Sequence, residues 1–483
     1  MTPGKQKVSC DELKRQRWFQ QKDAVVREIT PLDSIPLADP YGLGIYEVSF
    51  EDQPPDLYVI PTKRGGFKLE VIAEGAFLDT LFTAIDNEGA RSTAKGNALF
   101  RKFGDWRIDA RSSSFGLLEV GSTNTLITCS EKEPRFILKL LRRILEGENV
   151  EAEVNRFLAK TNFRNCPAIK ADVSYKNESG HIYHIATMFD YVKNDGSGWD
   201  WTLGKLTEGI DRFLSESIPP TEQSVGLEMA DYNEMMYRLG KVLAGLHSAL
   251  SGGEPGSGFE MLHISFEDAK RWKEELKAQA SRTFASLKHS RARVEAIIPA
   301  LASEKAVSAI FDQAPSILAS LKHKIRQHAD FHLGQIIVAG GTFHILDFEG
   351  EPLKPYNQRS SHYAALKDVA GMCRSFNYAS FNAYLNYRQT NEVTDADTLG
   401  RIQKICNNWE GMARRSFLDG YYQELKAQKA AFLPLDDREL LKRALAIHEL
   451  EKALYEAEYE VNNRPDWLPI PLGGIMNCLG RLA

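Results

Sequence analysis

Between His328 and Pro352 the chain reads HADFHLGQIIVAGGTFHILDFEGEP, gathering carboxylates and an amide around two short apolar runs. Asp330 stands five residues before Gln335, and Ile336 to Val338 follows as a β-branched run. Gly340 and Gly341 supply the positive φ angles that a tight hairpin turn demands. A second run, Phe343 to Leu346, then delivers Asp347, with Glu349 and Glu351 just beyond it. A hairpin folds its second strand back beside the first, so Asp330, Gln335 and Asp347 converge. Such a set suits phosphoryl transfer from ATP. One carboxylate orients and deprotonates an attacking hydroxyl, while an amide oxygen and a second carboxylate hold Mg²⁺ on the phosphates.

Protein kinases place an Asp, an Asn five residues on and a metal-binding Asp at a following strand end in this order. Here Asp330 takes the catalytic place, and Gln335 and Asp347 take the metal places. Gln in place of Asn keeps the carbonyl oxygen, one methylene further out. His332 and Glu349, flanking the loop and the hairpin, are assigned to the acceptor.

The upstream elements must bring the nucleotide to that point. Pro134 breaks the chain before Arg135–Leu141 (RFILKLL), a strand with Lys139 inside an apolar run. A charge there is costly unless it finds a partner or reaches the rim. The next segment, 149–160, reads as a helix carrying Glu151 and Glu153, either of which can pair with that lysine. Ahead of the strand, the polar loop 121–125 offers Ser122, Thr123 and Asn124 to phosphate through backbone N–H groups and side chains. Tyr183–Val192 reads as a strand running into Lys193-Asn-Asp-Gly-Ser-Gly198. Asp190 and Val192 thus fall where hinge amides and carbonyls would meet adenine.

Beyond Thr202 the chain turns helical. Met229–Leu250 carries an apolar period near 3.6, with His247 read as a packing histidine. Phe266–Ser290 and Arg291–Gln327 read as a long helical hairpin whose charges form solvated faces. Asp368 is expected to cap a helix or brace the catalytic loop. Near the C-terminus, Glu449, Lys452, Glu456, Tyr459 and Asn463 fall three to four residues apart on one helical face. These are groups that hydrogen-bond sugar hydroxyls, and they are also the groups of an ordinary solvated surface.

With 483 residues, 43% hydrophobic and 26% charged, the chain predicts a globular protein of two or three domains. A net charge of -5 without Lys/Arg-rich runs argues against nucleic acid as a partner. The six cysteines form no CxxC pair, which excludes a usual zinc site and fits reduced thiols in a cytoplasm. A polar N-terminus without an apolar core, and no apolar stretch of about 18 residues, predict no signal peptide and no membrane partner.

The stretches HADFHLGQ, ILDFEGEP, LKDVAGMCRSFNYA and LEKALYEAEYEVNNRPDWLPIPL resemble the bacterial maltokinases, stand-alone or fused to trehalose synthase. FILKLLRRILEGENVEAEV and KNDGSGWDWTL extend the resemblance over roughly residues 115–475. It implies an α+β, bilobal protein-kinase-like fold of the aminoglycoside-phosphotransferase type. An N-terminal α/β cap (1–112) would precede a β-rich lobe (113–203) and a large, mostly helical lobe (204–483). It implies ATP and Mg²⁺ as cofactors and transfer to the anomeric hydroxyl of maltose, giving maltose 1-phosphate for glycogen synthesis from trehalose. Trehalose synthase is then a candidate partner, and the chain a monomer or homodimer. Carried over by motif, Asp330 is the base, Gln335 and Asp347 bind metal, and Lys139 pairs with Glu153 to anchor phosphate. The stripe Glu449, Lys452, Glu456, Tyr459 and Arg464 becomes the disaccharide-binding helix. The chain departs from the family at Ala329, where Gly is usual, and at Phe331, where Tyr is usual. Ala329 is expected in an ordinary αR or β conformation. The alternatives are a kinase of the same fold for an amino sugar such as glucosamine, and a non-catalytic scaffold for a trehalose-converting enzyme.

Overall fold

A computed structural model describes residues 10–64, 66–67, 69–109, 112–118, 123–290, 297–350 and 356–482. The chain divides into two compact units, Met1–Lys160 with Pro167–Lys193, and Thr161–Cys166 with Asn194–Ala483. The first is rich in sheet and the second in helix, the mixed α/β architecture expected from the sequence.

The first unit opens with helix α1 (Cys10–Arg15), then strands β1 (Val26–Pro36), β2 (Tyr41–Phe50), β3 (Asp56–Lys63) and β4 (Gly66–Phe67). Helix α2 (Gly75–Asp86) follows, then β5 (Gly89–Ser92), β6 (Gly96–Lys102), β7 (Ser114–Leu118), β8 (Thr125–Ser130), β9 (Pro134–Leu140) and β10 (Arg143–Ile144). Helix α3 (Val150–Leu158), β11 (Ile169–Asn177) and β12 (Ile182–Asp190) complete it. Two antiparallel sheets result. One runs β1-β2-β3-β10 with β4 on β3; the other runs β5-β6-β11-β12-β9-β8-β7. The hairpin β5–β6, ahead of residue 112, is hydrogen-bonded through β6 to β11. Strand alternation sorts the side chains of β2 and β3. Leu43, Ile45 and Val59 join Phe77, Leu81 and Phe82 of α2 and the seven-stranded sheet in the main core. Tyr46, Val48, Tyr58 and Ile60 face the other way, onto Leu13, Trp18 and Phe19.

The second unit carries α4 (Gly198–Ser215), α5 (Glu222–Glu228), α6 (Ala230–Leu250), β13 (Leu262–His263), α7 (Phe266–His289), α8 (Ile297–Ala302) and α9 (Glu304–Ala319). Next come β14 (His323–Lys324), β15 (Ile336–Ala339), β16 (Thr342–Ile345) and α10 (Tyr356–Arg359). The closing helices are α11 (Leu366–Thr390), α12 (Ala396–Ala427), α13 (Arg438–Asn463) and α14 (Pro469–Leu482). Helices α6 and α12 cross backbone on backbone. A Cβ on Gly240 would lie 2.0 Å from the Phe417 oxygen, and one on Gly420 1.9 Å from the Tyr237 oxygen. The long helix expected up to Gln327 is corrected: α9 stops at Ala319, Lys322 takes a φ of 69°, and β14 pairs with β13. That strand feeds the chain directly toward Asp330.

Candidate active site

The catalytic loop is held from its backbone. Asp368, buried near the start of α11, accepts from the N–H groups of both His328 and Ala329 at 2.8 Å. His247 of α6 approaches the same carboxylate at 3.0 Å through Nε2, and its Nδ1 meets the Tyr421 hydroxyl of α12 at 2.8 Å. Asp368 is thus the brace that the sequence suggested. The expectation for Ala329 is overturned: its φ is 71°, the left-handed region that favours glycine. Strain there costs about 1–2 kcal/mol. The two hydrogen bonds to Asp368 offset it.

Histidine tautomers follow from the neighbours. His328 Nδ1 accepts from the Asp330 N–H at 3.3 Å, so its proton sits on Nε2 and points to the Leu346 oxygen at 2.8 Å. His332 Nδ1 accepts from Gly334 N–H at 3.0 Å, which turns Nε2 toward Asp330 at 3.8 Å. His332 therefore braces the loop through Nδ1 while Nε2 stays beside the carboxylate expected to meet the acceptor.

The hairpin β15–β16 turns on Gly340 and Gly341, with φ of 57° and 72°. Asn194–Ser197 pairs beside it, Asp195 N–H donating to Val338 at 2.8 Å and Ser197 bridging to Ile337. Leu346 N–H donates to the Gln335 oxygen, which fixes the two chain ends, and the Gln335 amide lies 3.4 Å from Asp347 Oδ2. Asp347 has a φ of 59°, and a Glu349 carboxylate oxygen lies within 4.8 Å of one of its own. An amide and two carboxylates are hard oxygen donors of the kind Mg²⁺ takes. Glu349, expected on the acceptor, belongs by position to this corner. Glu351 lies outside the described residues.

Asp330 faces a cavity of about 140 Å³ lined by α7, α11, α13 and the loop. Gln279, Arg282, Lys367, His448, Glu451, Lys452 and Tyr455 form its polar wall, with Phe331 and Gly371 among the rest. Lys452 Nζ stands 3.2 Å from Asp330 Oδ1. Burial alone would raise the Asp330 carboxyl, but the Lys452 ammonium and the hydrogen bond from His332 outweigh it and hold the group well below the usual carboxylate range. Glu451 is paired with Lys367 at 2.6 Å and approached by His448 Nδ1 at 3.3 Å.

Of the expected sugar-binding stripe, only Lys452 lines this cavity. Glu449 is 2% exposed and clamped by Arg414 of α12 and Arg481 of α14. Glu456 receives two bonds from Arg374 of α11, at 2.7 and 2.9 Å. Both acids are corrected to internal ion pairs, since buried carboxylates taken up by guanidinium groups have no face for a ligand. Tyr459 is exposed, and Arg464 pairs with Glu460 while its guanidinium lies over Tyr459 and Trp467. The sequence reading missed Glu451 and Tyr455, one helical step from its chosen stripe. It also missed Gln279 and Arg282, taken as solvated, though their i, i+3 spacing already put them on one face of α7.

In the first unit, Lys139 of β9 reaches Glu151 at 2.9 Å, with both side chains nearly buried. The expected Glu153 is half-buried two residues further along α3. Glu151, Val154, Asn155 and Leu158 form the buried i, i+3, i+4, i+7 face, and Glu153 lies off it. Of the phosphate loop, Ser122 lies outside the described residues; Thr123 is exposed and Asn124 half-buried just before β8. Asp190 ends β12, its N–H on the Ala168 oxygen and its carboxylate on Lys170 at 2.9 Å, with Val192 two residues on. Among the described residues no helix is long and apolar enough to cross a membrane.

Residues 130–391 match the model of the phosphotransferase enzyme family. A glucosamine kinase of Streptacidiphilus jiangxiensis is 26% identical over 293 residues, 59% of this chain. That match spans little more than half, 56%, of the relative's own length. A glucosamine kinase of Mycolicibacterium smegmatis is 24% identical over 346 residues, covering 69% of this chain and 73% of that protein. Among solved structures, a glucosamine kinase in complex with glucosamine, ADP and inorganic phosphate superposes with a TM-score of 0.67 at 18% identity. The superposition covers 97% of this chain and 99% of that one, a likeness of fold.

Proposed function

The chain belongs to the phosphotransferase enzyme family, and we propose that it is an ATP-dependent sugar kinase acting on the anomeric hydroxyl of maltose. The products are maltose 1-phosphate and ADP. The observation that carries this reading is the cavity in front of Asp330, with Lys452 at the carboxylate and polar side chains around it. The sugar hydroxyl lies against Asp330 and passes its proton there as its oxygen attacks the γ-phosphorus. The P–O bond to ADP breaks in the same transfer. An aspartate held so firmly ionised is a weak base. That suits a loose transition state, in which the hydroxyl needs orientation more than early proton removal. Lys139 with Glu151 anchors phosphate, and Gln335, Asp347 and Glu349 would hold Mg²⁺. The metal supplies charge neutralisation on the phosphates.

Charge supports a neutral acceptor. Each carboxylate on the cavity wall has a partner: Asp330 with Lys452, Glu451 with Lys367, Asp368 with His247. Arg282 is paired in turn with Glu458 at 3.5 Å. An ammonium entering this wall would compete with Lys452 and Lys367 for Asp330 and Glu451, whereas hydroxyls find donors and acceptors alike. At about 30 Å³ per water, about 140 Å³ is room for about five waters, so the cavity takes the reacting end of one sugar ring. The second ring of maltose then lies outside. Maltose is named, among neutral sugars, on the resemblance of the sequence to the maltokinases.

A second reading, glucosamine as acceptor, is favoured by the names of the relatives. The test is phosphorylation of maltose, glucose, glucosamine and trehalose with Mg·ATP, products identified by NMR. Maltose 1-phosphate as dominant product is expected. Dominant glucosamine phosphate moves the second reading forward, and no turnover on any of the four overturns the kinase reading.

A further inference from the structure

The seven-stranded and five-stranded sheets of the first unit share one segment of chain, which runs out of β9 and into β10. Leu141 N–H donates to the Ile185 oxygen of β12, within β9's sheet, at 2.9 Å, and the very next carbonyl, that of Arg142, accepts from Val59 of β3 at 2.8 Å. The chain therefore changes sheets within three residues of Lys139. The crossing point is gripped by side chains. Arg142 is 1% exposed, with its guanidinium carbon 4.3 Å from the Trp18 ring, and its Nε and Nη1 have no hydrogen-bond partner. Burial pulls its pKa down to about 9. Arg143 completes the grip through Asp56 at 2.6 Å, and its backbone pairs with Tyr58.

A buried guanidinium so poorly hydrogen-bonded is a costly way to fill space, since an apolar side chain of similar volume is usually neutral or stabilising there. Stacking on an indole returns part of that cost and has a fixed geometry. The stack is therefore a poor stabiliser but a rigid peg, set at the end of the strand that carries Lys139.

We propose that the N-terminal sheet is the seat of Lys139, with Arg142 as a positioning residue that fixes the end of β9 through Trp18. This rests on the reading of Lys139 as a phosphate anchor. The N-terminal module then acts on nucleotide affinity through strand geometry, without itself touching nucleotide.

The test is calorimetric binding of Mg·ADP and of adenosine to the full chain and to Arg142→Met, Arg142→Lys, Lys139→Met and the Arg142→Met/Lys139→Met double variant. Arg142→Met removes an unpaired buried charge at similar volume, so its Tm is expected to be unchanged or raised. Its affinity for Mg·ADP is expected to fall about tenfold while adenosine binding stays unchanged, because a small misplacement of an anchoring group is steeply felt. Arg142→Lys should recover part of the loss, and the double variant should bind Mg·ADP no worse than Lys139→Met. Wild-type Mg·ADP binding by Arg142→Met, or fully additive losses in the double variant, overturns the positioning role. Wild-type Mg·ADP binding by Lys139→Met overturns the phosphate-anchor reading itself.

Discussion

Helix α13 carries two polar faces a single helical step apart, and they do opposite things. On one, His448, Glu451, Lys452 and Tyr455 line the cavity at i, i+3, i+4, i+7, with Lys452 reaching Asp330. On the other, Glu449, Glu456 and Glu460 are buried against Arg414, Arg481, Arg374 and Arg464. The first face holds charges where a ligand can meet them. The second spends its charges on neighbouring helices. The difference teaches that polarity on a helix locates no site until the partner of each charge is known. A buried acid clamped between two arginines is fastening, while an acid beside one lysine at a cavity wall remains chemistry.

That contrast can be broken by substitution. The largest effect is expected from Asp330→Asn, which should lower kcat by about 10²–10⁴-fold with the Tm nearly unchanged, since it removes the group that orients and accepts the proton. Wild-type turnover would refute its role. Glu449→Gln should do the reverse, costing about 1–3 kcal/mol in denaturant unfolding because two part-exposed guanidinium groups lose their anion. Should it instead raise the KM for sugar and leave stability intact, the two faces have been misassigned. Lys452→Met should lower kcat/KM about tenfold to a hundredfold. With Lys452 gone, burial of Asp330 is less opposed and its carboxyl rises, so the acid limb of the kcat/KM profile moves to higher pH. An unmoved acid limb would sever Lys452 from Asp330. The smallest change, Ala329→Gly, relieves a left-handed φ and should gain up to about 1 kcal/mol, read as a modest rise in Tm.

What could be read from sequence was what is local. The hairpin declared itself through Gly340-Gly341 between β-branched runs, and both glycines take the positive φ that the turn requires. The lysine in β9 was conspicuous because a charge inside an apolar run needs an explanation, and Glu151 provides it. The helix expected over 149–160 likewise forms as α3, Val150–Leu158. Errors arose where phase or distant partners decide. Glu153 and Glu151 differ by two residues and about 200° of helix, and only the packed face of α3 tells them apart. Glu449 was drawn into the sugar stripe because Arg414 and Arg481, 35 and 32 residues away, cannot be seen from it. Gln279 and Arg282 reach the cavity from a helix more than a hundred residues upstream of α13. Ala329 looked harmless because its conformation is dictated by Asp368, which sequence places in another helix altogether.

Asp368 has a further consequence. A carboxylate that holds two consecutive amides and is itself held by His247, with Tyr421 behind, ties the loop to three helices at once. Freezing the loop has therefore been done at folding, before any substrate arrives. Little ordering entropy is left to charge against the encounter, so the free energy of binding a sugar can go into aligning its hydroxyl.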